Sequence, residues 1–214
     1  MSLPTVYGVA LNDKSERLEL GAEFAIKPYQ APPNAPVMYI KTCNTFAIES
    51  AAVAVGSDEV KIDATIGVVL AYDAKGLVLD NALEAIAGYL VVSDLTIAHQ
   101  SYYRPAISQR CRDGFCPMSE VIVPQHSFVA SDSTISIYVN DHRVHERHLS
   151  SLVRGLAQLL VDVTEFMTLS KGDVLLVGLP HNAPTAKAGD SVRIEVSGLG
   201  VLKHTLVHSA GVAP

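Results

Sequence analysis

Apolar residues along the chain either alternate with polar ones or run together in short blocks, and glycine, proline and aspartate separate the blocks. Both patterns are those of β-strands, half-buried where they alternate and buried on both faces where they run on. TVYGVAL (5–11) predicts a first strand, and the polar stretch 21–36, with four prolines, predicts a loop leading to a strand at VMYIK (37–41). AAVAV (51–55) and ATIGVVLAY (64–72) predict two more strands, parted by a turn at GSDE (56–59). NALEAIAGY (81–89) has helical spacing, with Leu83, Ile86 and Ala87 on one side and Asp80 as the N-cap. YLVVSDLTI (89–97) reads as a buried strand carrying one carboxylate, and 98–118 as a long irregular segment of the kind that usually carries function. STISIYVN (133–140) predicts a half-buried strand. The clearest helix is 150–168, capped by Ser150 or Ser151, with Leu152, Val153, Leu156, Leu159, Leu160, Val163, Phe166 and Met167 as its apolar stripe. VLLVGLP (174–180), SVRIEVSG (191–198) and VLKHTLV (201–207) close the chain as strands, the first two introduced by the turns Lys171-Gly172-Asp173 and Ala188-Gly189-Asp190. The expected fold is mixed, β-rich α+β with few helices, a single domain over 1–214 in which 1–50 supplies N-terminal strands and a loop and 51–214 the core.

Composition narrows the function classes. The chain has 214 residues, 49% apolar and 18% charged, ample for a buried core and without an apolar run of membrane-spanning length. Sixteen basic residues against 22 acidic ones give a net charge of −6, and no Lys/Arg cluster offers the basic face that phosphate backbones need; no nucleic-acid or membrane partner is expected. Three cysteines, an odd number in a long chain, point to a reducing compartment, and the start MSLPTVYGVALND lacks a signal peptide's basic and apolar regions, so a cytoplasmic location is expected. Cys111 and Cys116 lack a second pair to complete a zinc site and read as packed thiols. His142, His145 and His148 are spaced three apart and could share a helical face as metal ligands, but Arg143, Glu146 and Arg147 among them read equally as a solvated stretch. His99, His126, His181, His204 and His208 are scattered. No dinucleotide fingerprint, P-loop, nucleophile elbow or zincin motif is present.

Asp94 is the informative residue. A carboxylate inside YLVVSDLTI is costly to bury without a cation or several donors. It either accepts backbone N–H groups at a strand end or serves a site there, with RPAISQRCRDGFCP arching over it. That loop gathers Arg104, Arg110, Arg112 and Asp113. Arginine suits bidentate recognition of carboxylates, which points to an acidic substrate; ion pairing of these arginines with Asp113 or Glu120 would instead rigidify the loop.

GYLVVSDLT, SYYRPAISQRCRDGFCPMSEVIV, LSKGDVLLVGLP and KAGDSVRIEVSGLGVLKHTLV, in that order, resemble the fumarylacetoacetate hydrolase family, and APPNAPVMYIKTCNT resembles its early P-x-x-Y-I-K-P-x-N-T signature. Within the family the string RPAI followed by CRDGFCP is most similar to the amino-terminal halves of fused, two-copy isomerase/decarboxylases of aromatic (4-hydroxyphenylacetate) catabolism. The resemblance implies a β-sandwich roll with few helices, acting as a homodimer or as a hetero-oligomer with a sister family subunit, on small 2-oxo acids. It implies decarboxylation of 5-oxopent-3-ene-1,2,5-tricarboxylate and isomerisation of 2-hydroxyhepta-2,4-diene-1,7-dioate. In active members a Glu-x-Glu pair and a later Asp hold Mg²⁺ or Mn²⁺. The Asp carries over onto Asp94, whereas the pair falls on Asp63 and Thr65, so the cation is expected to be weak or absent in this chain. The family's lysine before D-G-F-C-P becomes Arg110, its G-T-P turn becomes Gly178-Leu179-Pro180, and an arginine after the ligand aspartate becomes Ala98, while Lys41, Asp113 and Pro117 are retained. Lys41 and Asp94 are the implied catalytic residues, and Arg104, Arg110 and Asp113 the implied substrate contacts. His99 and Glu49 are conceivable bases. Besides an enzyme subunit beside a metal-bearing sister, two readings stay open: a non-catalytic structural or regulatory subunit, and a stand-alone metal-dependent hydrolase or oxo-acid decarboxylase using Asp63 and Asp94.

Overall fold

Two long strands rich in Val, Ile and Leu set the architecture of the computed structural model, which describes residues 4–27, 30–57, 59–99 and 105–209. β5 (Val60–Leu70) and β6 (Ile86–Ile97) pair antiparallel from Val60↔Ile97 to Val69↔Gly88. Nearly every position of both is buried, because layers cover both faces. β5 begins four residues before the sequence pattern announces it, since Lys61 and Asp63 disguise its first turns of the pleat.

The remaining strands complete two sheets. β1 (Val6–Ala10), β2 (Val37–Lys41), β8 (Val123–Pro124) and β11 (Val174–Leu176) join the long pair in the order β2-β1-β11-β5-β6-β8, and β12 (Thr185–Ala186) pairs with the start of β5. The second sheet runs β10 (His142–His148), β9 (Thr134–Val139), β13 (Ser191–Val196), β14 (Gly200–His208), β4 (Ala52–Val55). A two-stranded ribbon of β3 (Phe46–Ala47) and β7 (Cys116–Pro117) packs on the large sheet, Cys116 and Phe46 meeting Leu90 and Val92. The main core fills the space between sheets: Ile62, Ala64, Ile66 and Val68 of β5 and Val91 and Leu95 of β6 meet Ile135, Ile137, Ile194, Leu202 and Leu206. This is the expected β-sandwich roll. The alternate residues of β5 and β6 therefore face away from it, and Asp63, Thr65 and Asp94 are among them.

Four short helices occur among the described residues: α1 (Lys14–Glu19), α2 (Gly21–Phe24), α3 (Ile107–Arg110) and α4 (Leu156–Phe166). The segment 21–36 is thus not all loop, and α1 went unforeseen although Asp13 and Glu16 have the capping-box spacing at its start. The helix expected over 81–89 is a single 3₁₀ turn at Ala82–Ala85, after which the chain extends. Gly88 explains it: β8 crosses so close that a Cβ there would sit 2.4 Å from the Val123 carbonyl, and pairing with β5 overrides the local helical spacing. α4 starts at Leu156 behind Gly155 rather than at Ser150 or Ser151, because the Ser151 hydroxyl is spent on Asp13 Oδ2 at 2.6 Å. Its Leu159, Leu160 and Val163 reach the core. His142, His145 and His148 lie on β10, which bulges between Arg143 and His145, so no helical face unites them. Among the described residues no helix is long and apolar enough to cross a membrane.

Candidate active site

Strand register creates the site. Asp63 and Asp94 stand directly opposite each other across β5 and β6, with relative exposures of 4% and 0%. Like charges so placed repel, and burial removes the water that would screen them. Two cations resolve this. Lys41, at the end of β2 and 1% exposed, donates from Nζ to Asp94 Oδ1 at 2.7 Å. Arg110, at the end of α3, donates from Nη1 to Asp94 Oδ2 at 2.9 Å and reaches Asp63 Oδ2 from Nη2 at 3.4 Å. The Tyr39 hydroxyl donates to Asp94 Oδ2 at 2.5 Å, and its ring lies 4.6 Å beneath the Arg110 guanidinium. Burial raises the Asp63 pKa, with Asp94 adding to the shift and Arg110 opposing it. Burial first and Asp94 second push Tyr39 well above the usual phenol range.

Lys41 is a brace rather than a free amine: Nζ also donates to the carbonyls of Arg110 (2.6 Å) and Phe115 (3.0 Å). It thereby pins the loop that carries Arg110 onto the Asp94 strand. Cys116 beside it is buried and its thiol is pushed up to about 12, which makes it a packed, inert group.

Above the Asp63–Arg110 pair opens a cavity of about 260 Å³. Lys61, Asp63, Thr96 and Arg110 line it from the large sheet and α3, Leu179 to Asn182 from the segment after β11, and Glu16 from α1. Three local features place these walls. Asp13 caps α1, its Oδ1 accepting from the Ser15 and Glu16 amides at 2.8 and 3.4 Å, and this sets Glu16 at the cavity and Glu19 at its rim. Gly178 has φ +152, and its carbonyl accepts from Arg147 Nη2 at 2.9 Å; a side chain there would crowd Asn12 and Leu152 at 3.2 Å. His145 Nε2 meets the His181 carbonyl at 3.2 Å, and since a carbonyl only accepts, that nitrogen carries the proton. His181 in turn directs Nε2 at the Glu19 carboxylate.

The structure thus brings Asp63, Asp94, Arg110 and Lys41 into one cluster, but only Asp63 and Arg110 reach the cavity. Asp113 lies exposed in a turn, accepting from Asn44 Nδ2 at 2.7 Å, away from the cavity. Arg104 lies outside the described residues. His99 lines the cavity and Glu49 does not. Sequence reasoning missed Glu16, Glu19, Lys61 and the role of His181; the capping-box spacing of Asp13 and Glu16 was the one available signal.

The donor set does not fit the Mg²⁺ or Mn²⁺ that the family pattern implies. Both Asp94 oxygens accept from cationic or hydroxyl donors, Asp63 Oδ2 faces Arg110, and Thr65 is buried with its hydroxyl toward the Ile66 carbonyl at 3.4 Å. A small hard cation needs several such oxygens free. Among the described residues no group of three or more His, Cys, Asp or Glu side chains is arranged to hold a metal.

The profile described as fumarylacetoacetate (FAA) hydrolase C-terminal matches residues 5–207. The chain is 35% identical over 95% of its length to the 4-hydroxyphenylacetate degradation bifunctional isomerase/decarboxylase of Salmonella dublin. It is 33% identical to the homoprotocatechuate catabolism bifunctional isomerase/decarboxylase of Escherichia coli. It covers 47% of each, so it spans about half the length of these relatives, the amino-terminal half. Among solved structures it superposes on 5-carboxymethyl-2-hydroxymuconate delta-isomerase from Mycobacterium smegmatis with a TM-score of 0.83 at 24% identity, covering 97% of this chain and 80% of that one. Fumarylpyruvate hydrolase from Pseudomonas aeruginosa, in complex with Mn²⁺ and pyruvate, gives 0.81 at 19%, covering 97% and 91%. At these identities the structures establish the fold.

Proposed function

Because the chain belongs to the fumarylacetoacetate hydrolase family, we propose that it is the amino-terminal-type subunit of an isomerase/decarboxylase of aromatic catabolism. It would work beside a sister subunit that carries the complete metal-ligand set. The observation that carries this reading is the near-complete match of the chain to one half of the fused relatives. The substrates so implied are 5-oxopent-3-ene-1,2,5-tricarboxylate and 2-hydroxyhepta-2,4-diene-1,7-dioate. Losing CO₂ from the first leaves the C–C bonding electrons in a dienolate, and returning a proton at a different carbon completes the isomerisation.

The cavity has groups suited to both steps. Arg110 and Lys61 present N–H donors to a substrate carboxylate and to the developing enolate oxygen. Asp63 lies at the floor beside Arg110, its pKa raised by burial. The His181–Glu19 pair at the mouth moves the proton between dienolate and product. An apolar groove of about 600 Å³, formed in part by Phe46, Ile48, Leu90, Met118 and Ile122, supports a sister-facing surface, since Ile48 and Ile122 remain 67% and 48% exposed.

The test is turnover of the tricarboxylate by the two subunits mixed, with CO₂ release and loss of ultraviolet absorbance as readouts. His181→Asn in this chain is expected to lower kcat by about 10²–10⁴-fold, the range for a positioned acid–base group, and Glu19→Gln, which removes only the carboxylate beside it, to lower kcat by less. If neither change alters turnover, yet omitting the chain destabilises the sister, the subunit is a non-catalytic scaffold; that second reading draws support from the loss of free oxygen donors at Asp63, Thr65 and Asp94. A separate expectation concerns assembly: Ile48→Lys with Ile122→Lys should release the sister in light scattering while leaving this chain's own melting temperature within a few degrees.

A further inference from the structure

Two buried carboxylates side by side require a cation, and here a side chain provides it. Asp63 and Asp94 oppose each other across β5 and β6, and Arg110 spans them through Nη1 and Nη2 at 2.9 and 3.4 Å. Its position is fixed from three sides. Lys41 Nζ grips the Arg110 carbonyl at 2.6 Å, the same Nζ holds Asp94 Oδ1 at 2.7 Å, and the Tyr39 ring lies 4.6 Å from the guanidinium carbon. The formal charges of Asp63, Asp94, Lys41 and Arg110 cancel, so the cluster has no residual negative charge to draw in an ion. A guanidinium also differs from a metal in what it asks of the carboxylates. It accommodates them at hydrogen-bond distance through a planar fork, whereas a small divalent ion needs oxygen lone pairs at roughly 2.0–2.1 Å in near-octahedral order.

We propose that Arg110 is a built-in replacement for the divalent ion, closing the Asp63–Asp94 pair to metal and placing guanidinium N–H donors at the cavity floor without any metal supply. This deepens the reading of the cavity as an oxo-acid site, and the experiment separates the two.

Metal-stripped full-length chain is titrated with Mn²⁺ and followed by electron paramagnetic resonance. The wild type is expected to leave Mn²⁺ free at millimolar concentration, and Arg110→Ala to bind it at least about tenfold more tightly, since removing the guanidinium frees Asp63 Oδ2 and leaves the cluster with a net negative charge. Arg110→Gln, which retains a donor for Asp94 but no charge, serves if the alanine variant does not fold. Wild-type uptake of Mn²⁺ that Asp63→Asn abolishes would overturn the proposal, as would variants that fold and bind no more tightly than the wild type. In a parallel titration, oxalate is the oxo-acid probe, with EDTA present throughout. Binding by the wild type, weakened about tenfold in Arg110→Ala, supports guanidinium recognition at the floor. If oxalate binds neither protein while the Mn²⁺ result holds, the metal exclusion stands and the oxo-acid reading of the cavity fails.

Discussion

Replacing Lys41 with methionine is expected to destabilise the fold by about 3–5 kcal/mol, the cost of leaving a buried carboxylate without its partner. Lys41 Nζ holds Asp94 Oδ1 and the carbonyls of Arg110 and Phe115 at 2.6–3.0 Å, and it is 1% exposed. Removing it leaves all three acceptors short of a donor and loosens the loop that aims Arg110. The measurement is urea unfolding of the isolated chain, with Asp94→Asn as the companion. Because both changes disrupt one network, the double variant should lose clearly less than the sum of the single losses. A Lys41→Met protein that keeps its unfolding midpoint but loses turnover would make the lysine catalytic after all, as the family resemblance implies.

Acid should unfold this protein earlier than its surface charge would suggest, and His204 is the reason. It projects from β14 into the space between the sheets, 2% exposed, with one ring nitrogen 3.0 Å from the Ser93 hydroxyl and Nδ1 without a hydrogen-bond partner. Burial lowers its pKa to about 4 from an ordinary 6.5. Below pH 6.5 the unfolded chain binds a proton that the folded chain refuses, so stability falls as pH drops from 6.5 to 4 and this contribution levels off below. The span of the shift corresponds to about 3 kcal/mol. Asp63 acts in the opposite sense: its pKa is raised on folding, so its contribution grows as pH falls. Comparing wild type with a Ser93→Ala/His204→Leu variant isolates the histidine. The variant should show a flatter stability curve between pH 6.5 and 4; parallel curves would mean that His204 takes up its proton within the native fold.

The chain's pattern alone determined a β-rich domain and the positions of most of its strands, because alternation and apolar runs report which backbone stretches must be covered; the roll itself came from the family resemblance. VMYIK, YLVVSDLTI, STISIYVN and the last two strands lie where that pattern puts them. It also exposed Asp94 as a carboxylate needing a partner, while the family resemblance marked Asp63 and Thr65 as a departure from a metal-ligand pair. Local pattern failed where neighbours distant in sequence overrode it: Gly88 is drawn into the sheet by Val123 and Val69, and Ser151 is diverted from capping α4 by Asp13. Only the tertiary structure decided which groups share one small volume. Strand register set Asp63 against Asp94, and the braced α3 loop dropped a guanidinium between them. α1 and the segment after β11 converged to put Glu19 beside His181. Side-chain type and spacing record what a segment prefers by itself. Pairing of charges across 16 to 53 residues, as around Asp94, depends on how sheets stack and loops close, which no single stretch encodes.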